Sequence, residues 1–394
     1  MHAETFGWFL VGGCAIAAGV SAQCVPVWSN PASGGPTVRA YPGLVYDTAA
    51  SRVLMYGGGT SSAYRRDLWQ WNGNAWSLID SGLTSGPGAR RGHMMAWDSD
   101  RNAVVVFGGG GVLTSDTWEW ASGWAQPPTT GPTPRGFGAM VFDNALHKCV
   151  MFGGWSNGFN YFNDTSTWDG TNWATLPSAN PPHQRGFHSM AYDTARDTIV
   201  LYGGLWNSST SSNTLADTWE WTGGQWVERT PAHSPGPRAY HSMTYDPVGH
   251  RVLLYGGWEI SAGAYNDTWA WDGNDWTLLG PAPVVPISRQ AQGLAWDTAH
   301  NNLVMFGGVN GSTFRNDTWT ATVPNCGPTC DSIDFNNDSL FPDTADIDDF
   351  LSVFSGGPCS TGACNDIDFN NDTLFPDTTD IDSLLSVFSG GACI

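Results

Sequence analysis

The chain is 394 residues long and 41% apolar, enough for one large domain and a small one, and it carries a formal charge of −20. The acidity is uneven: residues 325–394 hold thirteen Asp and neither Lys nor Arg, and Lys148 is the only lysine. Such a balance repels phosphate backbones, which excludes nucleic acid as a partner, while clustered carboxylates suit hard cations.

The N-terminal run FGWFLVGGCAIAAGVSAQC is apolar and ends in the small-residue pattern Val20-Ser21-Ala22, which reads as a signal peptide over 1–22 cleaved before Gln23. The run is short for a bilayer and nothing basic follows it, so no stable membrane span is expected, and the mature chain is expected to be secreted or held at the cell surface. Export makes disulfides permissible.

From residue 23 to 324 the sequence repeats. Arg39, Arg90, Arg135, Arg185, Arg238 and Arg289 are each followed eight residues later by an Asp, namely Asp47, Asp98, Asp143, Asp193, Asp246 and Asp297. An apolar run ending in aromatic-Gly-Gly comes next, then a variable loop, then a segment such as DLWQW, DTWEW or DTWAW, and in five repeats a further Trp four or five residues on. Each unit of about 50 residues holds four short strand signals, the content of one propeller blade. The expected fold is therefore all-β, a six-bladed propeller. The sixth repeat lacks its outer strand, and VPVWS around Trp28 has the spacing to supply it from the other end of the chain and close the ring.

Arg, a hydrophobic strand, Gly-Gly and spaced Trp, recurring six times in register, resemble the kelch repeat over roughly residues 24–323. The repeated Arg and the Asp that opens each third strand (Asp67, Asp116, Asp164, Asp217, Asp267 and Asp317) emerge on one face and are expected to pair structurally. His93, His188 and His241, three residues after their Arg, read as packed side chains, and Cys149 as a buried small hydrophobe. What differs between blades is the loop before the third strand, which carries Tyr64, Trp155, Tyr161, Trp206, Trp258 and Tyr265 on the Arg-bearing face. These aromatics are the expected contacts for a saccharide or protein ligand.

The tail repeats as well. Asp334, Asn336, Asp338, Asp343 and Asp346 have the alternating oxygen donors of a calcium loop, and Asp368, Asn370, Asp372, Asp377 and Asp380 repeat the set 34 residues on. Each loop is followed by helical apolar spacing, as in Ile347, Phe350, Leu351 and Phe354. A loop plus an exit helix, in tandem over 325–394, resembles a dockerin, and that resemblance implies calcium as cofactor and a cohesin-like or cell-surface protein as partner. Each loop closes on its thirteenth residue, and Ser339 or Thr373 stands where the family usually has Gly. Closure of the ring brings Cys24 toward Cys326, whereas Cys330 with Cys359 and Cys364 with Cys393 flank the two loop units at equal offsets; spacing leaves the connectivity open.

These features suit a secreted binding or scaffold protein. The alternative is a carbohydrate-active enzyme, since kelch propellers occur in copper oxidases resembling galactose oxidase and dockerins accompany polysaccharide hydrolases. Only five Glu are present and no catalytic motif is recognisable, so binding is the favoured reading.

Overall fold

The computed structural model describes residues 25–324, apart from 33, 84–85, 158–159, 208–211, 281 and 283. The signal sequence expected over 1–22, the ten calcium ligands and the six cysteines expected to pair lie outside the described residues.

Six four-stranded antiparallel sheets surround an axis. The first blade runs outward from Gly43–Asp47 through Arg52–Tyr56 and Leu68–Trp71 to Trp76–Asp80. Its second strand is buried almost throughout because neighbouring blades cover both faces, which is why RVLMY and its equivalents read as continuous apolar runs. Each such strand contributes to two inter-blade cores; Val53 and Met55 pack with Trp71, Trp76, Val304 and Phe306, while Leu54 and Tyr56 pack with Val104, Val106 and Trp120. The fourth blade is drawn out further, through Thr198–Asn207 and Ser212–Trp221.

The ring closes as the sequence predicts. Val27–Ala32 lies outermost in the sixth sheet, antiparallel to Thr318–Thr322, with Trp28 opposite Ala321 and Val27 opposite Thr322. Ser29 and Thr320 share a hydroxyl hydrogen bond of 2.8 Å, and Trp28, 5% exposed, packs edge-on to Tyr255 at 5.1 Å. The strand thereby covers a ladder edge that would otherwise present free N–H and C=O groups.

The repeated residues each tie strands or blades together. Asp47 Oδ1 accepts from the amides of Ala49 and Ala50 and so closes the turn between the first two strands, as Asp143, Asp193 and Asp246 do in their blades. The Thr of DTW accepts from the outer-strand Trp of the next blade: Trp173 Nε1 reaches Thr117 Oγ1 at 2.8 Å, Trp226 reaches Thr165 at 2.9 Å, and Trp276 reaches Thr218 at 2.9 Å. Trp76 makes the same bond to Thr318 at 2.8 Å across the point of closure. Blade 1 has Leu68 at this position, and Trp124 Nε1 of blade 2 is buried without a partner. Gly153 shows why the diglycine is needed, since its φ is +63° and a Cβ there would lie 2.7 Å from the Arg185 carbonyl of the next blade.

Candidate binding face

On one face of the ring, six arginines clamp six blades. Arg39 donates to both carboxylate oxygens of Asp67 at 2.8 Å and to the Gly57 carbonyl at 2.9 Å, joining the entry of the first strand, the end of the second and the start of the third. Arg90–Asp116, Arg135–Asp164, Arg185–Asp217, Arg238–Asp267 and Arg289–Asp317 repeat the pairing at 2.5–2.9 Å. The arginines are buried while each Asp retains an exposed edge, and Asp67 Oδ2 also accepts Trp69 Nε1 at 2.7 Å. Desolvation raises the Asp116 pKa, but the hydrogen bonds and charge of Arg90 outweigh it and hold the carboxyl at about 2. Asp67, Asp217 and Asp317 are held low by the same balance. The repeated Arg and Asp are thus structural, as their recurrence suggests.

Two residues after each of these arginines the chain turns through positive φ. Tyr41, Phe137, Phe187, Tyr240 and Ala291 lie at φ 57–61° and Gly92 at 66°. Five amide-to-carbonyl bonds between these residues, such as Phe187 N to Phe137 O at 2.6 Å, run from blade to blade around the axis. They hold bulky residues in a conformation that L side chains seldom adopt. Four aromatic rings consequently meet at the axis: Tyr41 and Phe137 at 5.3 Å, Phe137 and Phe187 at 4.6 Å, Phe187 and Tyr240 at 4.6 Å, and Tyr240 and Tyr41 at 6.2 Å between centroids. Burial pushes the Tyr41 hydroxyl up to about 12 against the pull of Arg91.

The loop aromatics surround this cluster. Trp155 lies 6.1 Å from Phe137 and Trp258 lies 6.2 Å from Tyr240, both half-buried. Tyr64 is half-buried under the Arg91 guanidinium at 5.0 Å, and Tyr265 covers Arg238 at 4.3 Å. Trp206 is half-buried against His183 at 4.5 Å, with its indole N–H unpartnered. Tyr161 is different: it is 8% exposed, so of the six expected contact residues it presents the least surface. Sequence reasoning missed the axial four. The signal was available as RAY, RGF, RGF and RAY at Arg39, Arg135, Arg185 and Arg238, in the same register.

Beneath the axial rings lie His93, His188 and His241, buried, with no well-aligned hydrogen bond at either ring nitrogen. Burial, reinforced by Arg90 and Arg185, pushes His93 and His188 down to about 3, and burial with Arg238 pushes His241 well below the ordinary range. Each packs on the aromatic of the preceding blade, edge-on at 5.2–5.7 Å to Tyr56, Phe152 and Tyr202. The carbonyls of Phe152 and Tyr202 oppose the shift at His188 and His241. Gln292 holds the equivalent place in blade 6 and donates to the Tyr255 carbonyl at 2.9 Å. The histidines are therefore inter-blade packing groups. Below them an axial channel of about 510 Å³ leads to the strand turns at the opposite end, lined by Met94, Met95, Met140, Met190 and Met243 among others, with no acidic, lysine or arginine side chain among the described residues. No group of three or more His, Cys, Asp or Glu able to hold a metal ion occurs among the described residues. Cys149 is buried in the second strand of blade 3, and burial raises its thiol pKa well above the usual value.

Comparison with known proteins agrees with this architecture. Residues 151–326 match the family model for the KLHDC2/KLHL20/DRC7 Kelch-repeats domain. A solved structure titled "Structure of YjhT" superposes with a TM-score of 0.59 at 14% sequence identity, covering 72% of this chain and 95% of that one, a likeness of fold. No curated protein matches the sequence. The described chain folds as a six-bladed β-propeller, and its residues 151–326 match a kelch-repeat model.

Proposed function

We propose that this propeller is a secreted recognition scaffold whose Arg-bearing face binds a saccharide or protein ligand, and that the C-terminal segment binds calcium and attaches the chain to a cohesin-like or cell-surface partner. One observation carries the first part. A rigid ring of six Arg–Asp clamps presents aromatic side chains that differ from blade to blade, with Tyr64, Trp155, Trp206, Trp258 and Tyr265 disposed around four rings on the axis. Stiff, amphipathic rings on a preorganised frame supply contact area at little entropic cost, which is what a recognition surface needs.

The second part rests on the donor set. Each tail repeat places Asp and Asn at alternating positions in the sequence, and oxygen-only coordination is the preference of calcium. A glycan array and a pull-down with the full chain test the recognition role: binding should be lost in Trp155→Ala with Trp258→Ala at unchanged thermal stability. A ligand that binds both proteins equally would place recognition elsewhere.

A further inference from the structure

Sixteen basic residues serve 36 acidic ones in this chain, and Lys148 is the single lysine among them. Eleven of the fifteen arginines are engaged with carboxylates: six in the face clamps, and Arg52, Arg101, Arg196, Arg229 and Arg251 elsewhere in the blades. The other four, Arg65, Arg66, Arg91 and Arg315, have no carboxylate partner among the described residues. All four belong to blades 6, 1 and 2 on the clamped face. The Arg315 carbonyl accepts the Arg39 amide and the Arg65 carbonyl accepts the Arg90 amide, both at 2.9 Å, so each stands at the seam with the following blade. Arg91 directly follows the second of these clamps and spreads over Tyr64 and Tyr41 at 5.0 and 5.7 Å.

The contrast with the other half of the face is informative. The position two residues before the clamp Asp, filled by Arg65 and Arg315 here, holds Phe162 and Tyr265 in blades 3 and 5, whose rings cover the clamp arginine at 3.8 and 4.3 Å. An arginine in that place is a second cation in the same blade as a clamp arginine that already has its anion, and the Nε atoms of Arg65 and Arg315 are buried without hydrogen-bond partners. Cations that lack a carboxylate partner on one sector of a face leave a positive potential there that an anion can meet. The face is thus divided into a cationic sector and an aromatic one, meeting at Tyr41 in the axial cluster.

We propose that the Arg65, Arg91 and Arg315 sector binds an acidic saccharide, its carboxylates or sulfates on the guanidinium forks and its ring faces on Tyr64 and the axial aromatics. The guanidinium is planar and matches carboxylate and sulfate oxygens in pairs, and aromatic planes accept the C–H faces of sugar rings. This inference rests on the reading that the clamped face is the ligand face, and it narrows the ligand to one class.

The full chain would be titrated at low salt with polygalacturonate, dextran sulfate, neutral dextran and poly-glutamate. Binding to polygalacturonate or dextran sulfate is expected, with none to dextran, and it should weaken as salt rises. The arm that binds distinguishes a uronate from a sulfate ligand. Arg65→Gln with Arg91→Gln and Arg315→Gln should weaken it at least tenfold, and Arg91→Glu alone, at a half-exposed side chain, guards against a folding defect in the triple variant. Absence of binding to both anionic polysaccharides, or equal binding by the variants, overturns the proposal. Tighter binding of poly-glutamate, lost in the same variants, overturns it in favour of an acidic protein. A neutral glycan whose binding needs Trp155 and Trp258 but not these arginines would leave the recognition role standing and remove this inference alone.

Discussion

The three buried histidines predict a specific sensitivity to acid. In the folded chain His93 and His188 are held down to about 3 and His241 is held well below the ordinary value of 6.5, by burial first and then by the adjacent clamp arginines. The unfolded chain takes up these protons near pH 6.5 while the folded chain does not, so stability falls as pH drops below about 6.5 and continues to fall until the folded values are reached near 3. Between pH 7 and pH 5 His93 and His188 each remove about 2 kcal/mol, and His241 acts in the same direction, so that the loss is a large share of the stability of an ordinary domain. The natural control is Gln292, which occupies the same position in blade 6 and bonds to the Tyr255 carbonyl without titrating. Denaturant unfolding of the wild type and of His93→Gln with His188→Gln and His241→Gln should be followed at pH 7, 6 and 5. The wild type should lose several kcal/mol more than the variant over this range. The exposed histidines are common to both proteins and cancel in the difference. If both lose stability in parallel, or if NMR finds these imidazoles titrating near pH 6.5 in the native state, the reasoning fails.

Three further outcomes are expected. Trp28→Ala should cost about 4 kcal/mol through the cavity beside Tyr255, and removal of residues 25–32 should expose the Thr318–Thr322 edge and promote aggregation, both read by thermal unfolding and light scattering. Asp217→Ala leaves the buried Arg185 guanidinium without its anion and should destabilise by about 3 kcal/mol, while Arg185→Met with Asp217→Leu should recover part of that loss in the same denaturant assay. Calcium at millimolar concentration should raise the thermal stability and helicity of the 325–394 segment in the full chain, and Asp334→Ala with Asp368→Ala should abolish the rise; calorimetry showing no heat of binding would refute calcium binding by the tail.

What could be read from the sequence is what neighbouring units do for one another. The Arg–Asp clamps and the Trp28 strand answer needs that the register of six repeats reveals without coordinates, whereas the repeated Asp47 position stood out in the sequence but its turn-closing bonds show only in the structure. The Trp–Thr bonds between blades were visible only as a recurring DTW, yet they follow the same logic, and Leu68 marks a blade where the next blade's Trp lacks its acceptor. The channel, the axial cluster and the cationic sector belong to the ring as a whole. Tyr41 and Tyr240 stand 199 positions apart, and only closure together with backbone at positive φ turns their rings toward a common centre. Arg65 and Arg315 look like ordinary surface arginines in the sequence. That they lack carboxylate partners, in adjacent blades of one face, depends on where every carboxylate of the described ring lies, which is a property of the tertiary structure alone.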